Sequence, residues 1–348
     1  MAKKIRLALL RCDTHGYWYG PFLSKCDPLL LEQHDHECYY YFCEVKWADR
    51  LRTPVVPGFE ITKCWDADYQ RAQDFAHTFL DVPTPCRTLR EATEDVDAVF
   101  IADCSGDGHD HIRLARPFLE KGIPAFVDKP FGVNYKDACK LIDLARKNRT
   151  IVMSCSLLEY NPTAKLFRNR FNEINPVNLV VAKGVGGAGL AGVIHGIALI
   201  RNLLGDGVEW VQAMGHTALD GNLPPELNSP KSIILKDGKP TAPMTFLNMH
   251  YKDGRDGLVM NTSIDTFPER CNFYASAYSK QGGIHSPAIG DPEFLAGGEV
   301  IVKMFRQMLR TGKQTVSYDS LREKIAVVDA GRKSVKEGRP VYLREIMK

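Results

Sequence analysis

The chain lacks any Cys-x-x-Cys pair, although it carries 10 cysteines among its 348 residues. Cysteine-built zinc sites typically carry such closely spaced pairs, so none is expected. Cys12, Cys64, Cys104 and Cys155 instead stand singly in or beside apolar runs, the pattern of buried free thiols in a reducing compartment. Long hydrophobic runs are missing too. No stretch approaches the roughly 20 apolar residues of a membrane-spanning helix. The basic start of the chain is followed by a short apolar segment and then by Arg11, Cys12 and Asp13, so it reads as a first strand rather than a secretory signal. A cytoplasmic protein without a membrane partner is expected. An excess of one charge is absent as well: 45 Lys and Arg against 42 Asp and Glu leave +3, without a basic stripe, which argues against nucleic acid as a partner. No internal repeat or low-complexity tract occurs.

What is present fits an ordinary globular protein of about two domains, with 44% apolar and 25% charged residues. The first half alternates apolar runs with helical patterns. Strands are expected at Ile5 to Leu10, Phe59 to Trp65, Ala98 to Ala102 and Pro124 to Val127, and another begins at Ile151. Helices are expected at Tyr69 to Phe79, His111 to Glu120 and Asn134 to Asn148. That alternation means a parallel sheet with right-handed crossovers. Residues 12–58 form a long, aromatic insertion containing Tyr17-Trp18-Tyr19, His34-Asp35-His36 and Tyr39-Tyr40-Tyr41-Phe42. It reads as an elaborated loop or helix over the mouth of the sheet, its aromatics either stacking on a ligand ring or forming a local core. The second half changes character. Val177 to Lys183, Leu258 to Thr262 and Phe273 to Tyr278 look like antiparallel strands, with helices at His195 to Leu204, Glu293 to Thr311 and Ser320 to Glu337 and a loop at Gly282 to Asp291. The expected division is residues 1–150 and 151–348.

The most informative segment is Val127-Asp128-Lys129-Pro130-Phe131-Gly132. A strand followed by Lys-Pro places an ammonium group at the carboxyl end of a parallel sheet, where open α/β sheets bind their ligands. A solvated surface lysine is the alternative.

Together these residues resemble the Gfo/Idh/MocA oxidoreductase family. Asp97 to Ala102 through Asp128-Lys129-Pro130 is similar to its strand, helix and Glu-Lys-Pro motif, with Asp128 in place of Glu. Glu159-Tyr160-Asn161-Pro162 resembles its Arg-Phe-x-Pro turn with the arginine lost, and Met308 to Lys313 and Ala326 to Arg339 resemble its C-terminal helices. The resemblance implies an N-terminal Rossmann doubly wound parallel sheet followed by an α/β domain with an open, mainly antiparallel sheet, and a homo-oligomer built through that sheet. It further implies bound NAD or NADP and hydride exchange with a sugar, cyclitol or related polyol. In the family the Lys-Pro lysine contacts nicotinamide and substrate, and a histidine in a later Asp-x-x-x-His helix moves the hydroxyl proton. Lys129 matches the lysine and His195 the histidine, which makes these two the catalytic candidates.

The expected cofactor residues are Gly16, Asp66, Asp103, His111, Lys129 and Pro130. Asp66 ends the second strand, where a carboxylate accepts from a ribose diol and repels a 2′-phosphate, so NAD is favoured over NADP. A helix cap is its other reading. Two departures stand out. Where a dinucleotide fold carries Gly-x-Gly-x-x-Gly, Leu10-Arg11-Cys12-Asp13-Thr14-His15-Gly16 keeps only the last glycine. Asp13 would face an anionic diphosphate, and Arg11 could compensate by pairing with it. His195 has Ala191 where the family's aspartate stands; at the amino end of a helix it is expected to be neutral. Asp13, His15, Asp103, Asp107 and His109, joined by His34 and His36, could instead gather around a divalent metal, although the cofactor edge is preferred and no metal ligand is assigned. Two rivals remain: a metal-binding or non-redox enzyme on the same fold, and a catalytically silent binding or scaffold protein.

Overall fold

The structure is a computed structural model that describes residues 3–44, 55–104, 107–185, 190–215, 244–262 and 273–348. The chain divides into two compact units, one of residues 1–132, 136–155 and 298–318, the other of residues 133–135, 156–297 and 319–348.

The first unit holds a six-stranded sheet of β1 (Ile5–Leu10), β2 (Phe59–Trp65), β3 (Thr84–Cys86), β4 (Ala98–Ile101), β5 (Ala125–Val127) and β6 (Val152–Met153). Every pairing is parallel and the order is β3-β2-β1-β4-β5-β6. This is the doubly wound Rossmann order, with its topological switch between β1 and β4. The expectation of such a sheet is borne out. The last four residues of β1 and all of β4 and β5 are buried, because helices cover both faces of a parallel sheet and leave no polar side for the strands to alternate against.

The helices of this unit are α1 (Thr14–Leu23), α2 (Pro28–His34), α3 (His36–Tyr39), α4 (Tyr69–Thr78), α5 (Leu89–Ala92), α6 (His111–Glu120) and most of α7 (Tyr135–Lys147). The aromatic insertion therefore opens with a regular helix. Its Tyr17, Trp18 and Tyr19 are core residues, at 5%, 7% and 3% exposure, and do not form a ring-stacking surface. Tyr19 packs 4.9 Å from Phe100 and 5.7 Å from Phe126, which stack at 4.1 Å and meet Phe305. Trp18 and Phe22 pack with Phe42.

The second unit carries a seven-stranded sheet of β7 (Leu179–Val185), β8 (Val208–Gly215), β9 (Met244–Tyr251), β10 (Asp256–Thr262), β11 (Phe273–Ser279), β12 (Gly282–His285) and β13 (Val341–Tyr342), ordered β12-β11-β7-β10-β9-β8-β13. Only β7 and β10 pair in parallel. β12 lies in the stretch expected to be a loop: Gly282 and Gly283 weaken its strand signal, yet Gly282 to His285 pair with Ser276 to Ser279. Helices α8 (Pro162–Asn169), α9 (Leu190–Leu204), α11 (Tyr318–Glu337) and α12 (Leu343–Ile346) complete the unit, and α10 (Asp291–Thr311) contributes its first residues to it and residues 298–311 to the other. Helix α9 lies close on the sheet because a Cβ at Gly196 would overlap Val259 and one at Gly257 would overlap Ile200. A buried ion-pair group ties α9 to α11: Arg201 bonds Glu323, Asp206 and Ser320, while Lys324 pairs with Glu159.

Candidate active site

At the carboxyl edge of the parallel sheet, the loop after β1 is tied to the ends of three other strands by carboxylates. From β2, Asp66 accepts from Cys12 N at 2.9 Å and also from Asp68 N, and it is 5% exposed. Asp66 is not the cap of α4, a place taken by Asp68, which accepts from Gln70 N; its carboxylate is instead engaged by two backbone donors of the neighbouring loops. From the end of β4, Asp103 lies 3.5 Å from Arg11 Nε and 3.3 Å from His111 Nε2. From the end of β5, the fully buried Asp128 lies 2.6 Å from His15 Nδ1 and also accepts from the backbone of Lys129. Burial opposes a charge on His15, but the Asp128 carboxylate overrides it, and the imidazole is pushed up to about 10.

At one position the divergent loop takes a glycine-like backbone conformation with a different residue. Arg11 stands at the first glycine position and has φ of +70°, the left-handed conformation that glycine adopts freely and that costs other residues roughly 1–2 kcal/mol. Its guanidinium does not reach out toward solvent phosphate. It is bound by Asp110, which also holds Arg113, and both guanidiniums flank the Trp65 ring. These arginines hold the Asp110 carboxyl below its ordinary range, hydrogen bonding by Arg113 leading. Gly16 survives for packing: a Cβ there would run into the carbonyl oxygen of Arg11.

Asp13 caps α1. One carboxylate oxygen accepts from His15 N at 3.0 Å and Gly16 N at 3.4 Å, and the other from Cys104 N at 3.0 Å. Burial pushes its pKa upward. These donors, a helix amino terminus and the facing loop at the switch point, are the kind a bound diphosphate uses. The residues at this end therefore do not fit a dinucleotide diphosphate as they stand, because an aspartate already occupies the anion position. A cleft of about 260 Å³ opens beside it, lined by Thr14, His34, Asp35, Arg71 and Asp74 among others.

The other end of the edge offers a binding group. Lys129 is 9% exposed at the end of β5, its peptide bond to Pro130 is cis, and its ammonium has no hydrogen-bond or ion-pair partner among the described residues. The Nζ itself is not sealed from solvent, so a ligand arriving at the strand end can reach it.

The gathered metal cluster does not form. Among the described residues no three His, Cys, Asp or Glu side chains are placed to hold a metal ion. His34 stacks on Tyr17, His36 on Tyr39, and His109 pairs at the surface with Asp107.

In the second unit, His195 lies in the second turn of α9, which begins at Leu190, and not at the helix amino end. The helix-terminus argument for a neutral imidazole falls with that, since the effect fades beyond the first turn. Ser156 Oγ lies 2.8 Å from His195 Nδ1 and accepts from Leu158 N, and the imidazole is flanked by Phe273 and Phe294. Ser156 thus meets the ring nitrogen for which the family's missing acid was sought. Its distance in sequence gave no signal. Tyr160 is 39% exposed on the neighbouring turn, where Asn161 caps α8 and Glu159 is engaged by Lys324.

Residues 47–155 match the model of the Gfo/Idh/MocA family, described as an oxidoreductase family with an NAD-binding Rossmann fold. The resemblance seen around Lys129 is borne out by this match, which begins after the loop holding Arg11 and Asp13. No curated protein matches the chain. Several solved structures share its fold. Myo-inositol dehydrogenase from Corynebacterium glutamicum aligns at 15% identity and TM-score 0.68, over 98% of this chain and 99% of that one. Myo-inositol 2-dehydrogenase from Lactobacillus plantarum aligns at 13% identity and TM-score 0.70 over the same shares. GenD2 of gentamicin A biosynthesis, solved in complex with NAD, aligns at 14% identity and TM-score 0.72, over 98% of this chain and 97% of that one. At these identities the likeness is one of fold.

Proposed function

We propose that this chain is a nicotinamide-dependent oxidoreductase acting at a hydroxyl- or keto-bearing carbon of a sugar, cyclitol or related polyol. The observation that carries the reading is Lys129, a residue only 9% exposed at the carboxyl end of a parallel sheet, whose ammonium has no protein partner among the described residues. The match of residues 47–155 to an NAD-binding family and the fold shared with inositol dehydrogenases support it.

When bound, nicotinamide supplies the hydride chemistry, which no side chain can provide. The protein's own groups supply position and charge. Lys129 is assigned polarisation of the substrate oxygen, a role in which a fixed cation is worth most where water is excluded. His195 is assigned the hydroxyl proton. For this its Nδ1–H donates to Ser156 Oγ and Nε2 is the base. Asp66, Asp103 and His111, with Gly16 and Pro130 shaping the backbone, are assigned to the cofactor edge, and the carboxylate of Asp66 favours NAD over NADP. The seven-stranded sheet is assigned to a homo-oligomer interface. The test is fluorescence titration of the purified protein with NADH and NADPH. Saturable binding with NADH preferred is expected. Binding of neither, under conditions where the protein is folded, would sink the proposal.

A further inference from the structure

We propose that Asp13 is the residue that sets how tightly this chain takes a dinucleotide, because its carboxylate holds the diphosphate position in the free protein and must leave when the dinucleotide enters. The inference rests on the nicotinamide reading above and concerns one residue of that site.

The argument starts from the donors. A helix amino terminus leaves its first N–H groups without intrahelical acceptors, and the aligned peptide dipoles add partial positive charge there. In a dinucleotide fold those groups meet a diphosphate, and the glycines of the loop keep side chains out of its way. Here His15 N and Gly16 N, from the first turn of α1, both donate to one oxygen of Asp13, and Cys104 N, from beyond β4, donates to the other. The carboxylate thus bridges the two elements that flank the switch point, in the way an anionic ligand would. Asp13 stands at the second position of the glycine pattern, where a side chain is least compatible with a close-lying phosphate.

A diphosphate and this carboxylate are alternatives. Each needs the same N–H groups, and two anions at that separation repel strongly where the site is screened from water. The cations of the loop and of the facing helix are already taken, and Arg71, which lines the adjoining cleft, lies 3.9 Å from Asp68. Arg11 is held by Asp103 and Asp110, Arg113 by Asp110, and His15 by Asp128. Bringing in a dinucleotide therefore requires Asp13 to rotate out of its cap, with loss of three backbone hydrogen bonds that the diphosphate then replaces. Part of the cofactor's binding free energy is consumed in that exchange, and the wild-type affinity is weakened accordingly.

The test is calorimetric titration of the wild-type protein, Asp13→Asn and Asp13→Gly with NAD and NADH, with backbone amide resonances of His15 and Gly16 as a second readout. Asparagine keeps the capping acceptor while removing the charge, so that variant is expected to fold even where the glycine variant is weakened. Both variants are expected to bind at least tenfold more tightly than wild type, and both amides are expected to shift on binding. Wild-type binding as tight as that of the variants, or binding that leaves both amides unmoved, overturns the role of Asp13 while leaving the nicotinamide reading intact. Absence of binding by all three proteins overturns the nicotinamide reading itself, and the inference with it.

Discussion

Replacing Asp128 by asparagine isolates the interaction that joins the ends of β1 and β5. In the wild type the buried Asp128 carboxylate faces His15 at 2.6 Å and raises its pKa from 6.5 to about 10, against burial and the repulsion of Lys129. In Asp128→Asn burial and Lys129, which lower the pKa, are opposed only by Cys104, and the imidazole should lose its high-pH titration. The sign of the stability effect follows from linkage. A folded-state pKa above the unfolded one contributes stability that is complete below about pH 6.5 and is lost as pH rises toward about 10, at about 1.4 kcal/mol per pH unit. In the variant that slope vanishes in the same window. Breaking a buried pair costs about 3–5 kcal/mol, and the size of the His15 shift at about 1.4 kcal/mol per pH unit puts the upper end at low pH. The assay is denaturant unfolding of both proteins between about pH 7 and pH 9.5. Taking the difference between them cancels the titration of groups that the substitution does not touch. The reasoning predicts a wild-type advantage that shrinks steadily with rising pH, together with a high-pH imidazole titration in wild type that is lost in the variant. A pH-independent difference, or an unchanged His15 titration, would refute it.

Two further outcomes follow from the geometry. Ser156→Ala should shift His195 from the Nδ1–H toward the Nε2–H tautomer in nitrogen-resolved spectra, because the acceptor 2.8 Å from Nδ1 is lost, whereas Ser156→Thr should restore the wild-type form; an Nε2–H tautomer in the wild type contradicts the positioning role. Gly16→Ala should destabilise the protein by about 1–3 kcal/mol in thermal melts, since the new Cβ meets a backbone carbonyl that cannot yield cheaply, and an unchanged melting temperature would show that the loop is looser than it looks.

The parallel sheet was legible where its strands are short apolar runs, and Lys129 could be placed at its edge from Val127-Asp128-Lys129-Pro130 alone. Thr84 to Cys86 was not legible, because three residues with a central proline carry no periodicity. Helix α1 could not be told from a loop, for the opposite reason. Gly16 to Leu23 are all buried, so no polar face marks a helical period, and Pro21 and two glycines argue against one. In the second unit β8 and β9 went unseen and the start of α9 was put five residues late, because Gly192 and the glycines before Leu190 resemble a turn. The site shows the same division. Residue types at strand ends could be read in order, and the loss of the glycine pattern was plain. That Asp13 would fill the diphosphate position, that Arg11 would turn inward to Asp110, and that Ser156 would meet His195 depend on contacts made across the fold, which local sequence does not encode.

The most direct test of the proposed chemistry is the appearance of reduced nicotinamide, followed by its near-ultraviolet absorbance, when NAD and a panel of cyclitols, aldoses and related polyols are incubated with the wild-type protein and with Lys129→Ala. Reduction with at least one polyol is predicted for the wild type, with the rate lowered by about 10²–10³-fold in the variant, the scale expected when one fixed electrostatic contact to the reacting oxygen is removed. Equal rates in the two proteins, or no reduction with any member of the panel, would contradict the account.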